Sequence, residues 1–193
     1  MEQQAVIDFF DQAAAGWDAQ LVRNEAAIAQ ILDYAGVRPG VLVLDVACGT
    51  GVLIPDYLAR GAAHITAIDI APEMVRIARE KFPQENVTVL CGDAARMELA
   101  VQFDCIVVYN AFPHFPEPER LIAHLAGLLA PDGTLTVAHG FSRKTLDAHH
   151  RRTAKNVSNG IPPAAELAAL LGRYLSVMAQ ISNDELYLVA GQR

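Results

Sequence analysis

An apolar run at residues 41–46 leads into a glycine-rich turn, and a second apolar run follows at residues 64–69 after a helix-length gap. The first run carries Asp45 near its end, and the second ends in Asp69. Glycines in such a turn let the backbone approach a ligand, and a carboxylate at the tip of the second strand accepts hydrogen bonds from a ribose diol. This arrangement predicts a strand–helix–strand unit that binds a nucleoside.

The glycines of the turn distinguish between classes of nucleoside. A dinucleotide-binding turn has the pattern G-x-G-x-x-G, which places a pyrophosphate over the N-terminus of the following helix. Here Gly49 and Gly51 are present, but Ile54 occupies the third position. An oxidoreductase that binds a nicotinamide dinucleotide is therefore the less favoured alternative.

The segment D-x-A-x-G-x-G at residues 45–51 resembles the first motif of class I S-adenosylmethionine (SAM) methyltransferases. Ala47 stands where that family more often has glycine, and we expect an alanine to be tolerated there if φ is negative. The resemblance extends through further segments in the order typical of the family: IAPEMVRIARE at 70–80, CGDAARM at 91–97, FDCIVVYNAFPHF at 103–115 and LLAPDGTLTVAH at 128–139.

The resemblance implies SAM as the cofactor and S-adenosylhomocysteine (SAH) as its product. It implies that Asp69 binds the ribose and that Asp93, with the amide of Ala94, binds the adenine. Ile70 and Met74 would pack against the adenine faces. The full set of implied cofactor-binding residues is Asp45, Ala47, Gly49, Gly51, Asp69, Ile70, Met74, Asp93, Ala94 and Asn110.

The pattern of elements predicts one α/β domain over residues 1–193, with a doubly wound, Rossmann-like, seven-stranded and mostly parallel sheet. We expect a helical cap at 1–40, a cofactor-binding core at 41–139, an acceptor-side segment at 140–163, and a final helix with an antiparallel β-hairpin at 164–193. Within the core, the apolar runs predict strands at 41–46, 64–69, 86–91, 103–109 and 133–139. A helix is predicted at 119–130, ending at the Pro-Asp-Gly turn of 131–133.

The charge and cysteine content constrain the partners. The formal net charge is −7, which disfavours a nucleic-acid partner and favours a small-molecule acceptor. The three cysteines lack C-x-x-C spacing, and no apolar stretch reaches the length of a membrane span. The N-terminal residues lack the pattern of a signal peptide, so we expect a cytoplasmic protein.

The acceptor site is expected between the N-terminal helix, the loop after the fourth strand and the segment after the fifth. Trp17 is expected either to cover this site or to pack in the core. His114 is the first candidate for a base or hydrogen-bond donor. The candidate substrate-binding residues are Trp17, His114, His139, Arg143 and His149, and His114 and His139 are also the candidate catalytic residues.

A metal site is not predicted from the histidines. The histidines at 114, 139, 149 and 150 lack H-x-x-x-H or mixed Cys/His spacing, and adjacent histidines on a helix point in different directions. The basic residues of the 143–155 segment suit contact with an anionic or chelating acceptor, or else form a solvated helix face.

These observations favour a SAM-dependent methyltransferase that acts on a small molecule, similar in layout to the ubiquinone and menaquinone biosynthesis methyltransferases. Asn110 does not begin the N-P-P-[YF] signature of amino-group methylation of bases. Two alternatives stay open: a methyltransferase acting on protein or RNA through the 143–155 segment, and a regulatory module that binds SAM without turnover. A homodimer is possible in each case.

Overall fold

The computed structural model describes residues 2–141 and 157–193. The helices in this part of the chain are α1 (Gln3–Gln20), α2 (Glu25–Tyr34), α3 (Ile54–Ala59), α4 (Pro72–Lys81), α5 (Pro118–Gly127) and α6 (Ala164–Leu171), with a 3-10 turn at Phe112–His114. The strands are β1 (Leu42–Val46), β2 (His64–Asp69), β3 (Val87–Cys91), β4 (Phe103–Tyr109), β5 (Leu129–His139), β6 (Ser176–Ser182) and β7 (Tyr187–Gln192).

The seven strands form one sheet in the order β3-β2-β1-β4-β5-β7-β6. The first five are parallel, and β7 runs antiparallel to both β5 and β6. This confirms the predicted fold class, including the antiparallel hairpin at the end. The chain reverses its direction of winding between β1 and β4, and ligands of such sheets bind outside the carboxyl ends of the strands at that point.

The sheet separates two apolar layers. On one face, Val43, Ile65 and Cys105 pack against α2, α3 and α4. On the other face, Leu44 and Ile106 pack against α5 and α6. Because successive residues of a strand face opposite sides, strands covered on both faces are apolar throughout, which is why they were recognisable in the sequence.

The strand register brings the predicted polar residues to one edge. Asp45 lies opposite Ala67 of β2 and Val107 of β4, and Asp69 lies opposite Cys91 of β3. The carboxyl ends of β1 to β4 therefore meet at the same edge of the sheet.

The boundary between α5 and β5 was predicted wrongly. α5 ends at Gly127, and Leu129 already pairs with Phe103, so the helix does not continue to residue 130. The Pro-Asp-Gly segment is an irregularity inside β5 rather than the turn before it: pairing with β4 is interrupted there, and Asp132 has a φ of 62°. An extra stretch of this kind lets a strand continue in the same sheet after a local bend.

Candidate cofactor and acceptor site

A cavity of about 920 Å³ lies at the carboxyl ends of β1, β2 and β4, beneath α1. This volume is at the upper end of the roughly 300–1,000 Å³ range of small-molecule sites. Of the ten predicted cofactor-binding residues, nine line the cavity: Asp45, Ala47, Gly49, Asp69, Ile70, Met74, Asp93, Ala94 and Asn110.

Helix α1 forms one wall of the cavity. The α1 residues on this wall recur at three- and four-residue steps, so they share one helix face. They include Gln3, Val6, Phe9, Phe10, Ala13, Gly16, Trp17 and Gln20. Trp17 both lines the cavity and packs against Ala14 and Met74.

Three hydrogen bonds accepted by Asp11 and Asp18 attach α1 to the cofactor-binding core. Asp18 accepts a hydrogen bond from the Thr50 hydroxyl at 2.5 Å and one from the Lys81 ammonium at 2.6 Å. Asp11 accepts from the backbone N–H of Glu73 at 2.9 Å, in the first turn of α4. A carboxylate at that place satisfies an N–H that has no partner within the helix.

The glycine turn places Gly49 against the cavity. Its φ is 56°, and a Cβ added there would lie 3.8 Å from Trp17 Nε1 and 4.0 Å from Met74 Sδ. Glycine adopts this left-handed conformation without a steric penalty. Ile70 and Met74 lie on the wall beside it.

Gly51, the tenth predicted cofactor-binding residue, lies in the glycine turn and is not among the residues that line the cavity. Its φ is 84°, and an added Cβ would lie 2.5 Å from Phe82 Cε2 and 2.9 Å from Ile54 Cδ1. The missing side chain thus makes room for Phe82 and Ile54 behind the turn rather than for a ligand.

The condition of a negative φ at Ala47 is not met. Ala47 has a φ of 55°, in the left-handed region that glycine adopts most readily. An alanine there brings its Cβ close to the following carbonyl oxygen, at a cost of about 1–2 kcal/mol. The turn keeps the conformation that glycine would favour, and the chain carries that strain.

Asp69 is 7% exposed and accepts backbone hydrogen bonds with both carboxylate oxygens, one from the glycine turn and one from the start of α4. Oδ2 accepts from the Gly49 N–H at 2.7 Å, and Oδ1 accepts from the Ala71 N–H at 2.9 Å. Burial raises the pKa of Asp69, and these backbone hydrogen bonds oppose the rise. The residue predicted to bind ribose therefore also holds the shape of the turn.

Asp93 faces the cavity with a carboxylate that already has three partners. Oδ1 accepts from the Ala95 N–H at 2.9 Å, and Oδ2 accepts from Gln3 Nε2 at 3.0 Å. Arg96 Nε lies 3.2 Å from Oδ2. Ala94, the other predicted adenine neighbour, is buried on the same wall.

Asn110 connects the carboxyl ends of β4 and β5 at the far side of the cavity. Its Oδ1 accepts from the Gly140 N–H at 3.1 Å, just beyond β5. Its own N–H donates to Ala138 O at 2.9 Å, and its φ of 54° turns the chain away from β4. Asparagine adopts this conformation more readily than most residues.

His114 lies on the cavity wall at the end of the 3-10 turn, with its ring edge-to-face against Phe10 at 5.0 Å between centroids. Its Nδ1 is 2.6 Å from the carbonyl oxygen of Val157. Because a carbonyl only accepts, Nδ1 carries the proton, and in the neutral ring the lone pair is then on Nε2. Asn159 supports the turn by donating to the carbonyls of Pro113 and Phe115.

The other predicted acceptor residues are not brought to this wall by the described structure. His139 is 1% exposed and packs its ring against Tyr187 in the sheet, and it does not line the cavity. Arg143 and His149 lie outside the described residues. No group of three or more His, Cys, Asp or Glu side chains in residues 2–141 and 157–193 is arranged to hold a metal ion.

Three residues of the site were missed by sequence reasoning. Gln3 binds Asp93, which lies 90 residues further along the chain, and Asn159 binds the 3-10 turn that carries His114. No local sequence pattern predicts either contact. Tyr109, the last residue of β4, lines the cavity, and burial raises the pKa of its hydroxyl, which keeps it a hydrogen-bond donor at neutral pH. Its position directly before Asn110 was the one available signal.

Comparison with known proteins agrees with this geometry. Residues 43–133 match a family model described as a methyltransferase domain. The chain is 40% identical over 111 residues to the ubiquinone biosynthesis O-methyltransferase of Xanthomonas campestris pv. campestris (strain B100), covering 54% of this chain and 46% of that protein. It is 38% identical over 114 residues to the enzyme of the same name from Xylella fastidiosa (strain 9a5c), covering 55% and 46%. The chain thus spans about half the length of these relatives.

Solved structures share the whole architecture. Magnesium protoporphyrin IX methyltransferase from Synechocystis PCC 6803 with bound SAH has a TM-score of 0.74 at 21% identity, covering 100% of both chains. The N-methyltransferase NodS from Bradyrhizobium japonicum WM9 in complex with SAH has a TM-score of 0.74 at 18% identity, covering 99% of this chain and 97% of that one.

A third structure, from the complex between the Haloferax volcanii Trm112 methyltransferase activator and the putative methyltransferase, has a TM-score of 0.82 at 20% identity, covering 97% and 96%. At these identities the likeness shows a shared fold. The resemblance found in the sequence agrees with the matching methyltransferase domain model, and the predicted fold is confirmed by these structures.

Proposed function

We propose that this chain is a class I SAM-dependent methyltransferase that binds SAM beneath α1 and transfers the methyl group to a small-molecule acceptor, and the matching domain model and the shared fold support this. One observation carries the proposal: a single cavity reaches Asp93, Asp69, Asn110 and His114, each at the carboxyl end of a strand or in the loop after it. That order matches the adenine, ribose, methionine and acceptor parts of a methyl-transfer complex laid along the sheet edge.

In this proposal the adenosine lies over β2 and β3. The adenine amino group donates to Asp93 Oδ2. This oxygen already accepts a hydrogen bond from the side-chain amide of Gln3 on α1. The ribose hydroxyls donate to Asp69, since each carboxylate oxygen can accept more than the one backbone hydrogen bond it has. The methionine part then extends towards Asn110.

Once the cofactor is bound, methyl transfer requires few catalytic groups from the protein. The sulfonium makes the methyl carbon electrophilic, so orientation and exclusion of water supply much of the rate. The apolar face of α1, with Phe10 and Trp17, covers the cavity from above and restricts water. The acceptor atom must lie on the β4 side of the methyl group, beside Asn110 and His114.

The acceptor side of the cavity supports an apolar molecule with a hydroxyl group. Its wall is formed there by Val6, Phe10, Phe115 and Phe141, with His114 among them. We assign Nε2 of His114 as the base: it takes the hydroxyl proton as the acceptor oxygen forms its bond to the methyl carbon, and the electron pair of the broken carbon–sulfur bond stays on sulfur. The relatives named as O-methyltransferases support an oxygen acceptor.

We expect the protein to work in the reducing environment of the cytoplasm, and the three free cysteines support this. In the described residues, no helix is both long and apolar enough to cross a membrane.

The test measures SAM and SAH binding by calorimetry and then methyl transfer from labelled SAM. Cell extract is divided by ultrafiltration into small-molecule and macromolecular fractions, and each is incubated with the protein. We expect both cofactor forms to bind and the label to enter the small-molecule fraction. Label in the macromolecules would overturn the small-molecule acceptor, and binding without transfer to either fraction would favour a regulatory module.

Two matched variants locate the binding site. Asp69→Asn and Asp104→Asn each replace a carboxylate that accepts a backbone N–H, from Gly49 and from Leu42 respectively, at 2.7 Å in both cases. Only Asp69 lines the cavity, whereas Asp104 lies near the start of β4. We expect SAM affinity to fall at least tenfold in Asp69→Asn and to stay unchanged in Asp104→Asn. Equal affinities would place the cofactor elsewhere.

A further inference from the structure

Asp45 is a buried acid that the proposed transfer step leaves unused. It is 2% exposed on β1, and its Oδ2 has no hydrogen-bond partner among the residues that the structure describes. Burial without a partner disfavours the charged form of a carboxyl group. Asp45 nevertheless belongs to the cavity wall, so a ligand in the cavity lies close to it.

Among residues 2–141 and 157–193, the ionisable groups that interact with Asp45 are all acids. They are Asp69 at the end of β2, Asp56 and Tyr57 on α3, and Cys48 in the turn after β1. None of them supplies a positive charge. Burial, together with the charge of Asp69, raises the pKa of Asp45 to about 7, which Tyr57 partly opposes. In the ligand-free protein at neutral pH, the carboxyl group of Asp45 is thus close to half protonated.

The strand order shows which part of the cofactor Asp45 meets. β1 lies between β2, which carries the ribose-binding Asp69, and β4, which leads to the acceptor side at Asn110. A cofactor laid from β3 to β4 therefore crosses β1 between its ribose and its reacting methyl group. The sulfonium is the part of SAM at that place, and it is also the part that loses its charge in the reaction.

We propose that Asp45 senses the charge on the cofactor sulfur: it releases a proton when the sulfonium of SAM binds and takes one up after transfer. This inference rests on the proposed function, because it requires SAM in this cavity. The positive sulfur supplies the counter-ion that the acidic surroundings of Asp45 lack, and low polarity makes the attraction strong. The neutral sulfur of SAH supplies none, so the site binds SAM in preference to its product.

The protons balance over one cycle. In molecules whose Asp45 is protonated, binding of SAM converts the carboxyl to a carboxylate and releases that proton to solvent. Transfer moves the methyl group to the acceptor oxygen, frees the hydroxyl proton, and leaves the sulfur neutral. Asp45 then takes its proton back, because the sulfur beside it is neutral, so the net reaction releases a single proton, as methylation of a hydroxyl by a sulfonium must.

The test counts the protons released on binding. SAM and SAH are titrated calorimetrically into the whole protein at pH 7 in phosphate and in Tris, whose heats of ionisation differ. We expect SAM to release about half a proton more than SAH. Because the carboxylate is the binding form, the ratio of SAH to SAM dissociation constants should rise about tenfold from pH 6 to pH 8.

The variant Asp45→Asn removes the titrating group and keeps its shape. We expect the excess proton release and the pH dependence of the ratio to vanish in Asp45→Asn and to persist in Asp104→Asn. Subtracting the variant from the unmodified protein also removes protons released by the ligands' own amino groups. If Asp45→Asn failed to fold, the SAM and SAH comparison in the unmodified protein would decide alone.

The possible outcomes distinguish a failure of the proposed function from a failure of the proposed role of Asp45. Failure of both SAM and SAH to bind would overturn the proposed function itself. Binding of both with equal proton release would leave that function standing and overturn the role of Asp45. An excess release that persists in Asp45→Asn would assign it to another group and would also overturn this inference.

Discussion

At the scale of single residues, Ala47 lies in a turn whose φ of 55° is better suited to glycine. We expect Ala47→Gly to raise the free energy of unfolding by about 1 kcal/mol, since it relieves the left-handed strain and loses one partly buried methyl group. In a chain of 193 residues this corresponds to a rise of about 2–4 °C in the melting temperature. Thermal unfolding followed by circular dichroism measures it.

The control for this prediction is Ala29→Gly, at an exposed position in the middle of α2. There the same exchange should destabilise the protein by about 1 kcal/mol, because glycine loses more backbone freedom in a helix. If both variants lose stability to the same extent, the turn at Ala47 does not carry the strain that its φ indicates.

Asp45 also makes stability depend on pH, without any ligand. The pKa of Asp45 is about 7 in the folded protein, against 3.8 for an ordinary aspartate. Between these values the folded state binds a proton that the unfolded state lacks, so the contribution of this group falls as the pH rises. We expect the stability of Asp45→Asn relative to the unmodified protein to increase by about 1 kcal/mol per pH unit between pH 5 and pH 7. Urea unfolding at several pH values measures the difference, and a constant offset would contradict it.

At the scale of elements, the residue contacts between α1 and the core determine how firmly the cavity is covered. Asp18 binds both Thr50 in the glycine turn and Lys81 in α4. We expect Asp18→Ala to weaken SAM binding about three- to tenfold through a faster dissociation rate, because two charge-assisted or short hydrogen bonds are lost together. Stopped-flow displacement of bound SAM measures the rate.

The matched control is Asp8→Ala on the same helix. Asp8 is exposed and accepts a hydrogen bond from Gln4 within α1, so its removal changes the charge of the helix but not this attachment to the core. Its dissociation rate should equal that of the unmodified protein. A similar acceleration in both variants would attribute the effect to overall charge and not to the attachment of α1.

Elements were predictable where their pattern was local. β1, β2 and β4 are apolar on both faces and have a polar residue at or beside their last position, namely Asp45, Asp69 and Asn110, so their positions followed from the chain alone. The start of β5 was not predictable, because Leu128 and Leu129 suit a helix end and a buried strand equally well. Pairing with Phe103, far away in the chain, decides between them.

At the scale of the whole molecule, the motif order predicted the sheet and most of the cavity wall. Hydrogen bonds between segments distant in sequence could not be predicted. The hydrogen bonds of Gln3 with Asp93 and of His114 with Val157 join segments that are distant in sequence. The positions of Gly51 and His139 off the cavity wall were not predictable for a related reason: packing against Phe82 or Tyr187 determines their surroundings.

The whole fold should respond to the cofactor product, because a ligand that binds only the folded state stabilises it by mass action. SAH at a hundredfold excess over its dissociation constant adds about 2.7 kcal/mol. For a chain of 193 residues this raises the melting temperature by roughly 5–10 °C. NADH should produce no shift, since Ile54 occupies the position at which a dinucleotide-binding turn has its third glycine. Differential scanning fluorimetry with each ligand in parallel measures both, and a shift with NADH alone would reverse the choice between the two nucleoside classes.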